Sequence, residues 1–367
     1  MIRAEGIPRT MKALRIYGPG DLRYEEVPVP EIDEDEILVK VIGTGICAGD
    51  IKIVDGAQMF WGGGVLPKWV REPVTLGHEF TGRVVAIGDR AKTKYGLNLG
   101  DMAVAEQVIA CGECPFCQNG EHWMCVKTDI YGSKRDVAEG SMAGYMKYYK
   151  GSRVYKVPET IPERDTAMIE PLSCAVHTIE RADIKFRDVV VVAGLGPIGL
   201  CDLQLAMKKN PRLVIGIDVR ENRLQIAKEY GADYVFNPTE CDVVEEVKKL
   251  TGGLGCDVYI HCSGHSEGVL QGLKMVRSHG RYVEFSVFMN DTAVDWSIIG
   301  DRKELDVIGA HISGIEGYQV AIDMLAKKAV DVNRIITHDF SLDDYEKAFA
   351  MAKDGTQSIK VVVHAEG

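Results

Sequence analysis

Residues 189–199 read Val-Val-Val-Val-Ala-Gly-Leu-Gly-Pro-Ile-Gly, and this stretch decides the fold of the middle of the chain. The apolar run predicts a buried strand, and the pattern of residues 200–209 predicts a helix directly after the turn. Gly194 allows the tight turn, Gly196 lets the backbone approach a pyrophosphate, and Gly199 lets the helix pack on the strand. Free N–H groups at the helix start then bind the phosphates. The residues predicted to form this dinucleotide site are Gly194, Leu195, Gly196, Pro197, Ile198 and Gly199.

An acidic residue supports the same interpretation. The next apolar run, residues 213–217, ends in Asp218, about twenty residues past the turn, where an acid binds the adenosine ribose hydroxyls. A carboxylate there repels a 2′-phosphate, so the sequence favours NAD over NADP as the cofactor. Arg220 and Arg223 lie close by and could offset part of that repulsion. Arg223 is either a cofactor contact or a solvated helix charge.

Two regions of the chain differ in their pattern of apolar residues. From Asp188 to about His311, short apolar runs alternate with helical patterns such as residues 221–230, which predicts a parallel sheet with crossover helices. From Met11 to about Tyr149, short apolar runs are separated by turn signals, which predicts a mostly β, barrel-like domain. The runs that carry the two predictions are 188–193, 213–217, 257–261 and 281–285 for the first, and 37–41 and 82–87 for the second.

The end of the chain carries a further signal. Residues 317–328 and 342–353 have helical patterns, and a Val-rich strand follows at residues 359–364. This strand could return to the first domain. A length of 367 residues fits two domains at roughly 100–200 residues each.

Composition excludes several function classes. A net charge of −11 argues against nucleic acid as a partner, because such binding relies on clustered Lys and Arg. No apolar run reaches the ~18 residues that a bilayer span needs, and the first residues lack an apolar signal region. We therefore expect a cytoplasmic protein without a membrane partner, acting on a small uncharged molecule. In such a chain, closely spaced cysteines more often bind metal than form disulfides.

Four cysteines form the densest cluster of the sequence, with the spacing C-x2-C-x2-C-x7-C. They are Cys111, Cys114, Cys117 and Cys125. Four thiolates at this spacing can close tetrahedrally on Zn²⁺ and leave no open position, so the predicted site, in a lobe at about residues 108–128, is structural. An iron–sulfur pattern would need three residues between its third and fourth cysteines and a Pro after the fourth, whereas here seven residues separate them and Val126 follows Cys125. A free-standing zinc-ribbon binding module is the non-enzyme alternative, but few Lys and Arg surround the cluster.

Three separate fragments offer ligands for a second zinc with an open position. They are Cys47-Ala-Gly-Asp50, Gly77-His78-Glu79-Phe80 and Glu170-Pro171-Leu172. Taken singly, Cys47 fits a buried apolar side chain, His78 a core histidine and Glu170 a helix cap or surface charge. The residues alone therefore leave the catalytic site undecided.

Taken together and in order, these motifs resemble the medium-chain zinc alcohol dehydrogenases over nearly the whole chain, from about Met11 to His364. Glu170-Pro171-Leu172-Ser173 and Cys262-Ser263-Gly264 resemble the polyol branch of that family. The resemblance implies an α/β protein with a GroES-like, β-rich catalytic domain and a Rossmann domain with a doubly wound parallel sheet. The implied boundaries are residues 1–172 for the catalytic domain, 173–310 for the NAD-binding domain, and 311–367 for a return to the catalytic domain.

The resemblance also implies roles at the metal. Cys47 and His78 are expected to bind a catalytic zinc, and either Glu79 or Glu170 completes the site directly or through water. Asp50 is expected to orient His78, which also makes the imidazole a better ligand. The implied chemistry is a lowered pKa of the substrate hydroxyl, followed by hydride transfer to the nicotinamide. Cys262 and Ser263 are implied as cofactor contacts, and two zinc ions are expected in each chain.

One position departs from the family pattern. Most relatives carry Ser or Thr two residues after the ligand cysteine, where the hydroxyl begins the proton relay, but this chain carries Gly49. Glycine cannot relay a proton. We therefore hypothesise that water held by Glu79 or Glu170 takes over this step.

The substrate and the assembly follow only from resemblance. The loop that contains Phe60 and Trp61 is either a lid over the zinc or a plain surface loop, and together with residues 294–304 it resembles the erythritol and threitol dehydrogenases. By the same resemblance His311 faces the substrate. A four-carbon polyol is the leading expectation, with sorbitol, a longer polyol or L-threonine as alternatives within the class. A catalytically silent structural relative is the non-enzyme alternative. Relatives are commonly tetramers and sometimes dimers, so a homo-oligomer is implied.

Overall fold

The computed structural model describes residues 1–133 and 138–365 and divides the chain into two compact units. Unit 1 contains Met1–Glu170 and Tyr318–Gly367, and unit 2 contains Pro171–Gly317. The chain thus leaves unit 1, builds unit 2, and returns to unit 1. None of the helices in the described residues combines the length and the apolar character that crossing a bilayer requires.

Unit 1 is built mainly from strands, which suits its turn-rich sequence. Its first part contains β1 (Ile2–Arg3), β2 (Thr10–Gly18), β3 (Asp21–Pro28), β4 (Ile37–Gly45), α1 (Ala48–Val54), α2 (Gln58–Trp61), β5 (Val74–Thr75), β6 (Glu79–Ile87), α3 (Asp89–Tyr95), β7 (Met102–Ala105), β8 (Val108–Ile109), α4 (Pro115–Gln118), β9 (Asp129–Ile130), β10 (Tyr145–Tyr148) and β11 (Val154–Val157). Short 3-10 helices occupy His122–Met124 and Glu163–Met168.

Unit 2 alternates strands and helices, as the sequence predicts. Its elements are α5 (Ile169–Ala182), which crosses the boundary, β12 (Val189–Ala193), α6 (Pro197–Lys208), β13 (Leu213–Ile217), α7 (Glu221–Glu229), β14 (Tyr234–Phe236), α8 (Val243–Leu250), β15 (Cys256–His261), α9 (Ser266–Met275), β16 (Val276–Glu284), a 3-10 turn at Trp296–Ile298, and β17 (Asp306–Gly309). The return to unit 1 contains α10 (Gly317–Ala326), β18 (Ile336–Ser341), a 3-10 turn at Leu342–Asp344, α11 (Tyr345–Asp354) and β19 (Lys360–His364).

The sheet of unit 2 is parallel throughout, in the order β14-β13-β12-β15-β16-β17. β12 lies inside the sheet and is fully buried, which explains its run of β-branched valines: helices cover both faces of such a strand. Because the order reverses direction between β12 and β15, the carboxyl ends of these two strands border a crevice of the kind in which α/β sheets bind ligands. The predicted doubly wound α/β fold is confirmed.

The main sheet of unit 1 places three strands side by side in the order β6-β4-β19. Gly45 of β4 pairs with Glu79 of β6 on one side and with Val362 of β19 on the other. Both pairings are antiparallel, so the end of β4 lies beside the starts of β6 and β19. A one-residue slip would turn every side chain to the opposite face, and the buried apolar residues of these strands oppose such a slip.

Each unit has its own apolar core. In unit 1, Phe80, Tyr131 and Tyr148 are fully buried and their rings contact one another, with centroids 5.3–6.5 Å apart. In unit 2, residues of the central strands pack with those of α8 and α9, as in Val191, Tyr259 and Val247, which are at most 1% exposed. These cores hold the strand ends from which the candidate site residues project.

Candidate active site

Cys47, His78 and Glu79 come together at one end of the main sheet of unit 1. Cys47 follows the end of β4, His78 immediately precedes β6, and Glu79 is the first residue of β6. Their sulfur, ring nitrogen and carboxylate oxygen all lie within 4.8 Å of one another. One thiolate, one imidazole and one carboxylate are a donor set that zinc accepts, and three protein ligands leave a fourth position open. The residues present therefore fit a catalytic zinc.

The surroundings of His78 favour positive charge. Asp50 is fully buried at the start of α1; its Oδ2 accepts the N–H of Cys47 at 2.9 Å, and its Oδ1 lies 3.4 Å from Nδ1 of His78. Burial lowers the pKa of His78, but the charges of Asp50 and Cys47 outweigh burial and raise the pKa well above its usual range. A cation beside this ring, whether a proton or a metal ion, is thus stabilised. Asp50 occupies the place expected of the residue that orients His78.

Glu79 has a partner that the sequence analysis missed. Lys360, at the start of β19, donates to both carboxylate oxygens of Glu79 at 2.7 and 2.6 Å and to the carbonyl of Ile46 at 3.2 Å. Both charged side chains are buried, at 2% exposure for Glu79 and 3% for Lys360. Gly45 makes room for this pair, because a Cβ there would lie 2.0 Å from Oε2 of Glu79. The sequence signal for this partner is a lysine directly before the apolar run of residues 361–363.

Glu170 lies near this group without joining it. Among the described residues, the set of mutually close ligand atoms contains Cys47, His78 and Glu79, whereas Glu170 accepts a hydrogen bond from the amide of Gln107. Its charge nevertheless reaches Lys360. Burial lowers the pKa of Lys360, but Glu79, Cys47 and Glu170 outweigh burial and raise it. Glu79 therefore contacts the lysine directly, and Glu170 acts on it only through its charge.

The four cysteines of the lobe also converge. One sulfur from each of Cys111, Cys114, Cys117 and Cys125 lies within 4.8 Å of the others. The Sγ atoms of Cys114 and Cys117 are 3.5 Å apart, and those of Cys111 and Cys117 are 3.9 Å apart. Zn–S bonds of roughly 2.3 Å at tetrahedral angles place sulfurs about 3.8 Å apart. The lobe therefore has the dimensions of a tetrathiolate zinc site, and all four thiols are free of disulfides.

The glycine turn of unit 2 has the close contacts that its motif requires. Gly194 has φ +93°, and a Cβ on it would lie 2.7 Å from the backbone nitrogen of Ser263. A Cβ on Gly199 would lie 1.8 Å from the carbonyl oxygen of Gly194, whereas a Cβ on Gly196 would meet nothing within 4 Å. The first and third glycines thus serve packing, and the second leaves open space. Leu195, Pro197 and Ile198 complete the turn, with Pro197 as the first residue of α6.

Asp218 follows β13 and contacts the glycine turn of residues 194–199. Its Oδ2 accepts the N–H of Leu195 at 2.7 Å, and its Oδ1 accepts the N–H of Arg220 at 2.8 Å. The guanidinium of Arg223 lies 3.7 Å from Oδ2. The positive charge of Arg223 is therefore directed at Asp218, which is 7% exposed.

Comparison with known proteins identifies the family. The model of the alcohol dehydrogenase GroES-like domain matches residues 33–159, and the model of the zinc-binding dehydrogenase matches residues 197–327. A protein of Mycolicibacterium smegmatis named erythritol/L-threitol dehydrogenase is 45% identical, over 97% of this chain and 98% of its own. The chain is a zinc-binding dehydrogenase. The resemblance to the medium-chain zinc alcohol dehydrogenases is confirmed, and with it an oxidoreductase that uses zinc and a nicotinamide cofactor.

Further relatives extend over the same length. A sorbitol dehydrogenase of Halalkalibacterium halodurans is 33% identical over 96% of this dehydrogenase and 99% of its own chain. A zinc-binding dehydrogenase of Sinorhizobium meliloti 1021 in complex with NADP has a TM-score of 0.84 and 29% identity, covering 96% and 99% of the two chains. An alcohol dehydrogenase of Escherichia coli CFT073 in complex with NADH has a TM-score of 0.84 and 25% identity, covering 97% and 99%.

The remaining predicted site residues of the dehydrogenase lie in two places. Phe60 and Trp61 belong to the short helix α2 rather than to an open loop, and the indole N–H of Trp61 donates to the carbonyl of Ile53 at 2.7 Å. In unit 2, Cys262 and Ser263 follow β15 and His311 follows β17, so all three lie at the carboxyl edge of the parallel sheet. Their roles toward substrate and cofactor stay predictions.

Proposed function

We propose that this dehydrogenase oxidises a secondary hydroxyl of a small polyol, of the erythritol or threitol kind, to the ketose, with NAD as hydride acceptor. The observation that carries the proposal is the convergence of Cys47, His78 and Glu79, a mixed donor set that leaves one position for the substrate oxygen. The relative named erythritol/L-threitol dehydrogenase, 45% identical over nearly the full length of both chains, supports the substrate class.

We assign two zinc ions to unit 1. Cys111, Cys114, Cys117 and Cys125 would hold the structural ion, and Cys47 and His78 would hold the catalytic ion together with Glu79 or Glu170. When bound, the catalytic zinc supplies a Lewis acid that lowers the pKa of the substrate hydroxyl, and NAD supplies the hydride acceptor.

The chain's own groups fix the ligands and move the proton. Oδ1 of Asp50 lies 3.4 Å from Nδ1 of His78, so this carboxylate would orient the ring if Nε2 bound the metal. Lys360 holds both oxygens of Glu79 through its ammonium group. Since Gly49 offers no hydroxyl, water hydrogen-bonded to Glu79 or Glu170 accepts the substrate proton. Full activity and an unchanged pH profile in both Glu79→Gln and Glu170→Gln would rule this relay out.

The preference for NAD rests on Asp218. A 2′-phosphate would lie against this carboxylate, whose two oxygens already accept backbone N–H groups. Arg223 is engaged with the same carboxylate at 3.7 Å, so its charge is partly neutralised. We propose that unit 2 binds the cofactor through the glycine turn, Cys262 and Ser263, and that Phe60, Trp61 and His311 contact the substrate.

A substrate panel tests the proposal. Erythritol, the threitol isomers, sorbitol, 2-propanol and L-threonine are each offered with NAD and with NADP, and the reduced cofactor is followed by absorbance. We expect the highest kcat/KM with a four-carbon polyol and NAD. Preference for sorbitol or L-threonine would replace the substrate assignment, and no turnover with any pair would support a silent relative. Metal analysis should give about two zinc ions per chain.

We further propose a homo-oligomer, a tetramer or else a dimer. The edge strand β17 of unit 2 carries Val307 at 49% exposure, and Trp296 nearby is 76% exposed. An uncovered apolar sheet edge favours pairing with another strand. Light scattering on the wild type and on Val307→Lys should show a tetramer that the substitution weakens. We also propose a cytoplasmic location, because none of the ten cysteines forms a disulfide.

A further inference from the structure

A chain of hydrogen bonds in unit 2 ends on Ser263. The Nε2 atom of His261 lies 2.7 Å from the hydroxyl oxygen of Ser263, and Nδ1 lies 2.8 Å from a carboxylate oxygen of Glu284. An ionised carboxylate only accepts hydrogen bonds, so Nδ1 carries a proton, and in the neutral imidazole Nε2 then accepts a hydrogen bond from the hydroxyl of Ser263. Burial raises the pKa of Glu284, but His261 and the hydrogen bonds of Ser286 together outweigh burial and lower it, in keeping with an ionised Glu284.

The rest of unit 2 is shaped around this chain. The side chain of His261 is completely buried and stacks at 17° on Tyr259. Tyr282 donates to Glu284 at 3.0 Å, and the backbone N–H of Ser286 donates to its other oxygen at 2.7 Å. A buried polar network of this kind is stable only when its members are satisfied. Its geometry is therefore specific rather than incidental.

Helix α9 leaves space for the contact between His261 and Ser263. Gly268 lies in its first turn, and a Cβ there would lie 2.5 Å from Nε2 of His261 and 3.0 Å from the hydroxyl oxygen of Ser263. The absence of a side chain at this position lets the imidazole and the hydroxyl meet. The backbone N–H of His265 also donates to the hydroxyl of Ser263, at 3.3 Å. A hydroxyl oxygen has two lone pairs, so one acceptor position remains on Ser263.

The position of Ser263 indicates what this acceptor binds. Ser263 follows β15, across the crevice from the glycine turn that follows β12, and its backbone nitrogen would lie 2.7 Å from a Cβ on Gly194. In a doubly wound sheet each half binds one mononucleotide. Asp218 follows β13 in the half that takes the adenosine, which leaves the half with β15 and β16 for the nicotinamide nucleotide.

We propose that His261 and Glu284 are positioning residues that fix the hydroxyl oxygen of Ser263 as an acceptor for a hydroxyl of the nicotinamide ribose. The inference rests on the proposed cofactor. Nε2 of His261 accepts the hydrogen bond that the Ser263 hydroxyl donates, so the remaining lone pair of the hydroxyl oxygen is left for a donor. Glu284 fixes the tautomer of His261 that can do this. Neither residue touches the reacting atoms.

Fragments of the cofactor separate the two halves of the site. NADH and ADP-ribose both contain the second ribose, whereas ADP contains only the adenine half. In the full-length protein, measured by calorimetry, Ser263→Ala should raise the Kd of NADH and ADP-ribose roughly 3- to 10-fold, the effect of one hydrogen bond, and leave the Kd of ADP unchanged. Ser278→Ala is the matched control. Ser278 lies near the start of β16, at the end of the strand opposite to the carboxyl edge where we propose that the cofactor binds. This control should leave all three constants unchanged.

The role of His261 and Glu284 is tested by coupling. His261→Phe keeps an aromatic ring for stacking and should weaken ADP-ribose about as much as Ser263→Ala, while the double variant should be no weaker than either single variant. Glu284→Leu should behave in the same way. Glu284→Gln keeps an oxygen for the Nδ1 proton and should retain most of the affinity. If His261→Phe does not fold, Glu284→Leu alone and with Ser263→Ala completes the test.

Each outcome decides the inference. Equal binding of ADP-ribose by wild type and Ser263→Ala overturns the acceptor, and additive effects overturn the positioning role. An equal loss of ADP affinity indicates a merely structural role and also overturns the inference. Failure of the wild type to bind any of the three nucleotides would instead overturn the proposed cofactor, so the two failures are distinguishable.

Discussion

The two cysteine-containing clusters of unit 1 differ in how the chain builds them. The four sulfurs of the lobe all come from residues 111–125, and turns within that segment are enough to bring them together. Cys47, His78 and Glu79 come from the ends of two strands, and Lys360 arrives from a third strand, 281 positions after Glu79. The four-cysteine cluster can form within one short segment. The second cluster, here called the Cys47 cluster (Cys47, His78 and Glu79), forms only when the sheet has formed.

The donor atoms differ in the same sense. Four thiolates around one zinc complete its coordination shell and leave nothing for chemistry. A thiolate, an imidazole and a carboxylate leave an open position. The ammonium group of Lys360 donates hydrogen bonds to both carboxylate oxygens of Glu79. Changes in the lobe should therefore affect stability, and changes in the Cys47 cluster should affect turnover.

Removal of Cys47 should have the largest effect. We expect Cys47→Ala to lower kcat/KM for the polyol roughly 10⁴-fold, about 5.5 kcal/mol of transition-state stabilisation, because the metal loses its only thiolate in this cluster. Steady-state kinetics with zinc analysis should show the loss of one of the two zinc ions that we propose for each chain. Cys241→Ala is the control, since its sulfur lies 3.6 Å from the carbonyl of Asn237 and outside both clusters. Retention of both zinc ions and of activity in Cys47→Ala would remove the distinction between the clusters.

Breaking the buried ion pair of Lys360 and Glu79 should have the next largest effect, on the free energy of unfolding. Lys360→Met leaves the carboxylate of Glu79 buried without its cation, and we expect a loss of about 3–5 kcal/mol in the free energy of unfolding, measured with urea. Lys353→Met is the matched control, because Lys353 forms an exposed pair with Asp55 at 2.7 Å, worth about 1 kcal/mol or less. The double variant Lys360→Met with Glu79→Gln should recover part of the loss. An equal loss in the free energy of unfolding for Lys360→Met and Lys353→Met would contradict a stabilising role of the buried pair.

Loss of a lobe cysteine should act on stability alone. For Cys114→Ser we expect one zinc ion fewer and a loss of about 2.7 kcal/mol in the free energy of unfolding, the linkage expected when free zinc exceeds the Kd of the intact site 100-fold. At low temperature kcat should stay within about 3-fold of wild type, because the lobe leaves no open metal position. A fall in kcat as large as that of Cys47→Ala would make the lobe part of the catalytic machinery.

The sequence predicts the local features well and the long-range ones poorly. The strand, turn and helix from Val189 to Lys208 carry their signals in adjacent residues, and the structure confirms them. The edge strands β14 and β17 are only three and four residues long, too short for a hydrophobic period, and they were not anticipated. The parallel sheet itself was still predicted, because its inner strands are long, apolar and β-branched.

The candidate site shows the same division. Spacing alone identifies the four lobe cysteines, but Cys47, His78 and Glu79 required a family resemblance, because no local pattern links them. Lys360 and His261 were missed altogether. Lys360 begins β19 and His261 ends β15, and no local pattern shows which charged group each one faces. Glu79 lies on β6, on the other side of β4 from β19, and Glu284 lies opposite His261 on β16. The sequence could not choose between Glu79 and Glu170, and the structure brings Glu79 next to Cys47 and His78.

Gly49 allows the smallest and most specific test of the Cys47 cluster. A Cβ at this position would lie 3.7 Å from the sulfur of Cys47 and 3.9 Å from the ring of His78, which is ordinary contact, so a serine fits without displacing either ligand. We expect Gly49→Ser to raise kcat by less than about tenfold and to change its solvent deuterium isotope effect, because the new hydroxyl can accept the substrate proton in place of water. Gly49→Ala is the matched control, with the same Cβ and no hydroxyl. If alanine has the same effect as serine, the change comes from packing against the ligands, and proton transfer at this position does not limit turnover.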